Sequence, residues 1–256
     1  MIMGQNGQGA LRNLRMMLSY DGSGYHGWQR QKGQITVQQV LEEAIGRITG
    51  EDIRVIGSGR TDAGVHALRQ VAHFKTRSQI GIANLHRGIN SLLPEDVVVK
   101  ELDQVDAAFH ARYDASSKIY CYQIWNGPVR SPLCRRYAWF IREPLAGGRM
   151  GEALTLLTGT HDFSSFCAAD SGNRNPVRTI IAGSVKSDSG GMIRITIEAD
   201  GFLKHMVRNI VGTLVEIGSG RRSAEAILGL LKAKDRCLAG VTAPPGGLFL
   251  KEVKYG

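Results

Sequence analysis

The chain has too few cysteines to be held together by them: Cys121, Cys134, Cys167 and Cys237 are scattered through 256 residues. There is no Cys-x-x-Cys, and no Cys/His group has the spacing of zinc ligands. A disulfide-framed module and a zinc-ribbon fold are therefore excluded. The thiols read as reduced, in a cytoplasmic protein. No stretch stays apolar for the roughly 18 residues that a membrane span needs. Residues 1–13 are rich in Gly, Gln and Asn and lack an apolar h-region, so they read as an unordered lead-in rather than a signal peptide. Acids are also short: 23 Asp and Glu face 32 Lys and Arg, giving a net charge of +9 and a pI near 9.6. That excess favours a polyanionic partner, because phosphates release counterions to Lys and Arg.

What is present centres on residues 57–67, Gly-Ser-Gly-Arg-Thr-Asp-Ala-Gly-Val-His-Ala. Its glycines permit close backbone approach and positive φ. Asp62 is its one carboxylate, with Arg60 two residues earlier, and alternating apolar residues flank it: Ile53 and Val55 before, Val65, Val71 and Phe74 after. On spacing alone this is either a solvated turn with a surface ion pair, worth about 0–1 kcal/mol, or a site. A phosphate cradle fits poorly, because the stretch lacks both Gly-x-x-x-x-Gly-Lys-Ser/Thr and Gly-x-Gly-x-x-Gly, and its acid would repel phosphate.

In chain order, a strand is expected from Leu14 to Tyr20. A Gly-rich loop follows to Gln31, carrying Tyr25, Trp28 and Arg30, a mixture suited either to core packing or to stacking on RNA. Thr36 and Gln39 form a capping-box pattern ahead of a helix whose apolar stripe ends at Gly50. A second helix is expected from Asn84 to Leu93, stopped by Pro94, then a strand from Val97 to Leu102. The order then recurs: a strand from Lys118 to Asn126, a helix from Met150 to Thr158, and paired strands Arg178 to Lys186 and Met192 to Ala199 around Ser189-Gly190-Gly191. A helix from Val207 to Ile217 and a strand from Leu248 to Tyr255 complete it. This is α+β, with two related split-βαβ (ferredoxin-like) lobes of mixed, mainly antiparallel sheets. The expected domains are residues 14–112 and 113–256.

The unit 57–67 closely resembles the catalytic motif of the tRNA pseudouridine synthase A family. The resemblance extends to Tyr20–Gln31, to Tyr120, to His161–Phe166, to Gly201–Gly212 and to the ending from Ala243, covering nearly the whole chain after its first dozen residues. One departure is Pro144-Leu145-Ala146-Gly147, where the family often has a helix-capping Asp. The resemblance implies a pseudouridine synthase fold with a central RNA-binding cleft. It also implies isomerisation of uridine at tRNA positions 38, 39 and 40 in the anticodon stem-loop, by a homodimer without metal or nucleotide cofactor. Asp62 matches the nucleophile and Tyr120 the ring that stacks on the target base. Arg208 matches the basic partner of the acid, and Arg60 falls on the RNA side; these two roles could be exchanged. Arg112, Arg30 and His66 are further substrate-side candidates, with Lys32, Arg69 and Lys118 as backbone contacts. His110 has no assigned role, and Tyr122 reads as structural.

The chemistry suits these residue types. The C1′–N1 bond breaks, uracil turns, and C5 joins C1′ with loss of the C5 proton; no electrons are exchanged. A carboxylate is needed to attack C1′ or C6, or to assist glycal formation. Desolvation favours the neutral form of a carboxyl group, and a guanidinium opposes this. The alternative is a non-catalytic protein that binds structured RNA on the same scaffold; a small-molecule phosphate enzyme is a weaker third reading.

Overall fold

A computed structural model of the chain describes residues 9–168 and 175–256. The described residues divide into two compact units, one up to Ala115 together with Gly256 and one from Ser116 to Tyr255. Of the expected lead-in, residues 1–8 lie outside the described residues.

The first unit runs β1 (Arg12–Tyr20), α1 (Val37–Thr49), β2 (Ile56–Gly57), β3 (His66–Thr76), α2 (Ile82–Leu92) and β4 (Val97–Val105). β1 alternates, burying Leu14, Met16, Leu18 and Tyr20 on one face. It lies antiparallel to both β3 and β4, with Leu14 opposite Phe74 and Met16 opposite Leu102. β2 is antiparallel to β3, so the order is β4-β1-β3-β2. The helices pack on each other and bury Val37, Leu41, Ala44 and Ile45 from α1 and Leu85 and Ile89 from α2. Thr36 caps α1 by accepting from the Gln39 amide at 3.4 Å, and Gly50 ends it at φ 72°. The Gln39 side chain turns to Glu43 instead of closing the box.

The second unit contains β5 (Ala115–Asn126), β6 (Trp139–Ile141), α3 (Gly147–Thr155), β7 (Gly159–Asp162), β8 (Val177–Ser187), β9 (Met192–Ala199), α4 (Met206–Gly218), α5 (Ala226–Ala233) and β10 (Leu248–Tyr255). Its strands follow the order β10-β5-β9-β8-β7, with β6 parallel to the end of β5. Tyr120 stands opposite Ile197 and Tyr122 opposite Ile195. α3 packs on β8 and on α4, the most buried helix. α3 starts earlier than the expected Met150. Its N-cap, Ala146, offers no side-chain acceptor, and the Ala146 amide instead donates to the Gly218 carbonyl. No helix among the described residues is long and apolar enough to cross a membrane.

Candidate active site

In the first unit, β2 and β3 form a hairpin that carries Asp62 at its turn. The Val65 amide donates to the Asp62 carbonyl at 3.1 Å, and Gly64 takes φ 77°. Glycine at the third position of a tight turn supplies that angle without Cβ strain. The approach to Asp62 is pinned residue by residue. The Ser58 amide donates to the Val71 carbonyl at 2.8 Å. Ser58 Oγ donates to Gln70 Oε1 at 2.6 Å, while Gln70 Nε2 donates to the Gly59 carbonyl at 3.0 Å. The Thr61 hydroxyl lies 2.8 Å from that of Tyr20, both buried. Burial pushes the Tyr20 phenol up to about 12, so it stays a neutral hydrogen-bonding group.

The Gly-rich loop after β1 is laced onto this turn. The Trp28 amide donates to the Thr61 carbonyl at 3.0 Å, and the Gly64 amide donates to the Tyr25 carbonyl at 3.3 Å. A Cβ on Gly22 would sit 2.0 Å from the Val65 carbonyl oxygen, and one on Gly27 would sit 2.6 Å from that of Thr61. Trp28 is 2% exposed and fills the space above Gly57, where a Cβ would come within 2.6 Å of the indole. Of the two options for Trp28, packing is the one realised. Backbone thus meets backbone at Thr61 and at Val65, before and after Asp62 in the chain, leaving little freedom for the carboxylate's mounting.

The remaining first-unit candidates are distributed differently. Asp62 itself is half-buried and Arg60 exposed. Arg30 is exposed and pairs with the Glu42 carboxylate at 3.0 Å. Arg112 is exposed, with its guanidinium carbon 6.0 Å from the centre of the Tyr113 ring. His66 is 1% exposed, and its Nδ1 accepts from the Gly22 amide at 3.0 Å, with Asp21 Oδ1 at 3.1 Å. In this position His66 ties the Gly-rich loop to β3.

The second unit holds Tyr120 and Arg208. Tyr120 is 7% exposed and meets Phe202 edge-on, ring centres 4.9 Å apart. Arg208 lies on the first turn of α4, just after His205, which has φ 63°. Arg208 Nε donates to the Ala243 carbonyl at 2.7 Å, and the Ala243 amide returns a bond to the Arg208 carbonyl at 3.1 Å. The neighbouring Pro244 carbonyl accepts from the Tyr122 hydroxyl at 2.7 Å. Burial raises the Tyr122 pKa, keeping it a neutral donor. Beside Arg208, Asn209 is fully buried: Oδ1 accepts from Arg236 Nη2 at 3.0 Å and from the Thr242 hydroxyl at 2.7 Å, and Nδ2 donates to the Phe166 carbonyl at 2.8 Å. These supports were missed in the sequence, where Asn209 and Tyr122 carried no function; only the polar Asn beside an apolar helical stripe hinted at them. Among the described residues no group of three or more His, Cys, Asp or Glu side chains is placed to hold a metal.

A family model described as tRNA pseudouridine synthase matches residues 16–114 and 153–256 of this chain. Full-length relatives named tRNA pseudouridine synthase A are similar to it. The one from Thermoanaerobacter sp. (strain X514) is 46% identical over 245 residues, covering 96% of this chain and 100% of the relative. The Brevibacillus brevis protein matches at the same identity and coverage. The Moorella thermoacetica protein is 48% identical over 244 residues, 94% of this chain and 99% of its own. A solved structure of an unknown protein from Galdieria sulphuraria aligns over 86% of this chain and 95% of its own at 10% identity, with a TM-score of 0.22, too low to bear on the fold.

Proposed function

The chain belongs to the tRNA pseudouridine synthase A family, and from that premise we propose that it isomerises uridine to pseudouridine at positions 38, 39 and 40 of the tRNA anticodon stem-loop, with Asp62 as nucleophile. The observation that carries this reading is the Asp62 hairpin. Its carboxylate is mounted on a turn whose flanking carbonyls, Gly59, Thr61 and Asp62, each accept a hydrogen bond. A nucleophile must be held in attacking geometry before the substrate arrives, and such mounting supplies that.

In this reading Asp62 attacks C1′ or C6 of the target nucleotide, or assists glycal formation. The C1′–N1 bond breaks, the freed uracil turns, C5 bonds to C1′, and the C5 proton leaves. Tyr120 stacks on the uracil and serves in removing that proton, directly or through water. Arg208 is the basic residue of the site in this reading, and its orientation follows from the Ala243 carbonyl. Arg60, exposed beside the turn, contacts phosphate or fills the space of the displaced base, with Arg30 and Arg112 on the RNA backbone. His66 acts from behind, by holding the Gly-rich loop in place. Extracting the base costs a few kcal/mol, which cationic contacts from a chain of net charge +9 offset. The strand order β4-β1-β3-β2 supports a split-βαβ lobe in the first unit, and β10-β5-β9-β8 supports a second. A cytoplasmic homodimer is the assembly this reading carries.

Mapping pseudouridine in tRNA from cells with and without this protein tests the reading. Loss of the modification at positions 38–40 alone is the expected outcome. Unchanged pseudouridine at those positions would contradict it.

A further inference from the structure

The segment that follows β4 builds an aromatic stack that no step above uses. His110 Nδ1 accepts from the amides of Arg112 and Tyr113, both at 3.2 Å, and the His110 amide donates to Asp114 Oδ2 at 2.9 Å. The segment is therefore closed on itself by three bonds to its own backbone. On the fixed imidazole lies the Tyr113 ring, centres 4.1 Å apart and planes 25° from parallel. Behind it, His73 meets His110 edge-on at 4.8 Å and accepts from the Ala111 amide through Nδ1 at 3.1 Å. The rings thus rest on a buried base, since His73 is 3% exposed.

The outer member is bare. Tyr113 is 76% exposed, among the most exposed large side chains of the protein. Although it packs on His110, most of the Tyr113 side chain stays open to water. The Arg112 guanidinium carbon stands 6.0 Å from the ring centre, within the range of a cation–π contact. Asp114, next in sequence, accepts from the His110 amide through Oδ2. An exposed ring pre-oriented by stacking, with a cation on a flexible side chain at 6.0 Å, is what single-stranded nucleic acid uses as a platform: a base stacks on the ring and the guanidinium swings from over it to the adjoining phosphate.

We propose that Tyr113, stacked on His110 and flanked by Arg112, is a platform for an unpaired nucleobase of the tRNA, distinct from the uridine that reacts. The idea rests on the tRNA-modifying reading above, and it explains why a tyrosine left open to water is nonetheless held in one orientation. Holding the ring in advance removes the entropy cost of ordering it on binding. An unpaired base is the occupant because a base inside a helix has both faces stacked on its neighbours and cannot turn one to the ring.

The test is direct affinity, measured by filter binding of an in vitro transcribed tRNA and of a blunt RNA duplex of similar length. Tyr113→Ala and Tyr113→Leu should weaken tRNA binding about tenfold, the value expected for loss of one stacked base. Tyr113→Phe should stay within about twofold of wild type, and duplex affinity should not change with any of the three. Thermal melts confirm that each variant is folded; the position is exposed, so all should be. Equal loss in Tyr113→Phe, equal loss for the duplex, or full tRNA affinity in Tyr113→Ala would each overturn the platform. Repeating the series in an Asp62→Asn background separates the two readings, since the stack is read through affinity and the nucleophile through turnover.

Discussion

Gly27→Ala is a direct perturbation of the way the Asp62 turn is held. Gly27 has φ 86°, a conformation that costs an L-residue about 1–2 kcal/mol. Its Cβ would also stand 2.6 Å from the Thr61 carbonyl oxygen and 3.1 Å from both the Ala63 amide nitrogen and the Asp62 carbonyl carbon. All three are backbone atoms of the turn, so no side chain can swing aside. Overpacking of this kind costs about 1–3 kcal/mol. Movement also strains the bond from the Trp28 amide to the Thr61 carbonyl, worth about 1 kcal/mol. The sum is roughly 3–6 kcal/mol. At about 2–4 °C per kcal/mol for a chain of this size, the melting temperature should fall by on the order of 10 °C. Relief requires the turn to retreat by about half an ångström, and displacement on that scale should cut turnover roughly tenfold or more. Gly50→Ala is the matched control. It has φ 72° and nothing within 4 Å of its Cβ, so it bears the backbone strain without the collision. It should lose a few degrees and no activity. Melts followed by circular dichroism, with tritium release from tRNA labelled at uridine C5, give both quantities. If the two alanine variants lose stability and turnover equally, the close packing of loop on turn is not what holds Asp62.

Asn209→Ala removes the acceptor of the Arg236 guanidinium and the Thr242 hydroxyl inside the second unit. Stability should drop by about 1–3 kcal/mol, because the buried Phe166 carbonyl and the Thr242 hydroxyl lose their partner while Arg236 keeps the Thr242 hydroxyl and the Ala239 carbonyl, and urea unfolding checks it; a loss under about 0.5 kcal/mol would mean the cluster relaxes freely. Burial, with nearby His110, pushes His73 down from 6.5 to about 4. The unfolded chain therefore binds a proton below pH 6.5 that the folded chain refuses until about pH 4, so stability falls as pH drops through that window, by about 2 kcal/mol at pH 4.5. His73→Asn keeps an acceptor for the Ala111 amide without titrating and should flatten that dependence; identical pH profiles for the two proteins would refute the assignment.

How far these features can be read from sequence depends on whether they are local. The cap at Thr36, the stop at Gly50 and the strand Leu248–Tyr255 are written in neighbouring residues and fold as expected. Ile53 and Val55 alternate like a strand, yet the ladder takes only Ile56–Gly57. The reason is tertiary: the Val55 amide donates to Glu42 Oε1 and its carbonyl accepts from Gln38 Nε2, so two side chains of α1 replace a partner strand. α5 escaped notice because Glu225 makes no side-chain cap, and the helix is held instead by distant contacts such as Ser165 Oγ to the Leu230 carbonyl. β6 and β7 are short strands that exist only through pairing with β5 and β8. At the candidate site, the spacing of glycines around Asp62 marks a turn. Which carbonyl Gly22 or Gly27 faces, and that Asn209 is buried, are decided by parts of the chain far away in sequence.

The account stands most directly on Asp62→Asn, assayed by tritium release from tRNA labelled at uridine C5. The exchange removes the charge and the nucleophile while keeping the shape of a side chain on a hairpin fixed by its backbone. Wild-type protein should release label, and the variant should release none while binding tRNA with nearly unchanged affinity. A variant that keeps most of its turnover would contradict the assignment of Asp62 as the attacking group.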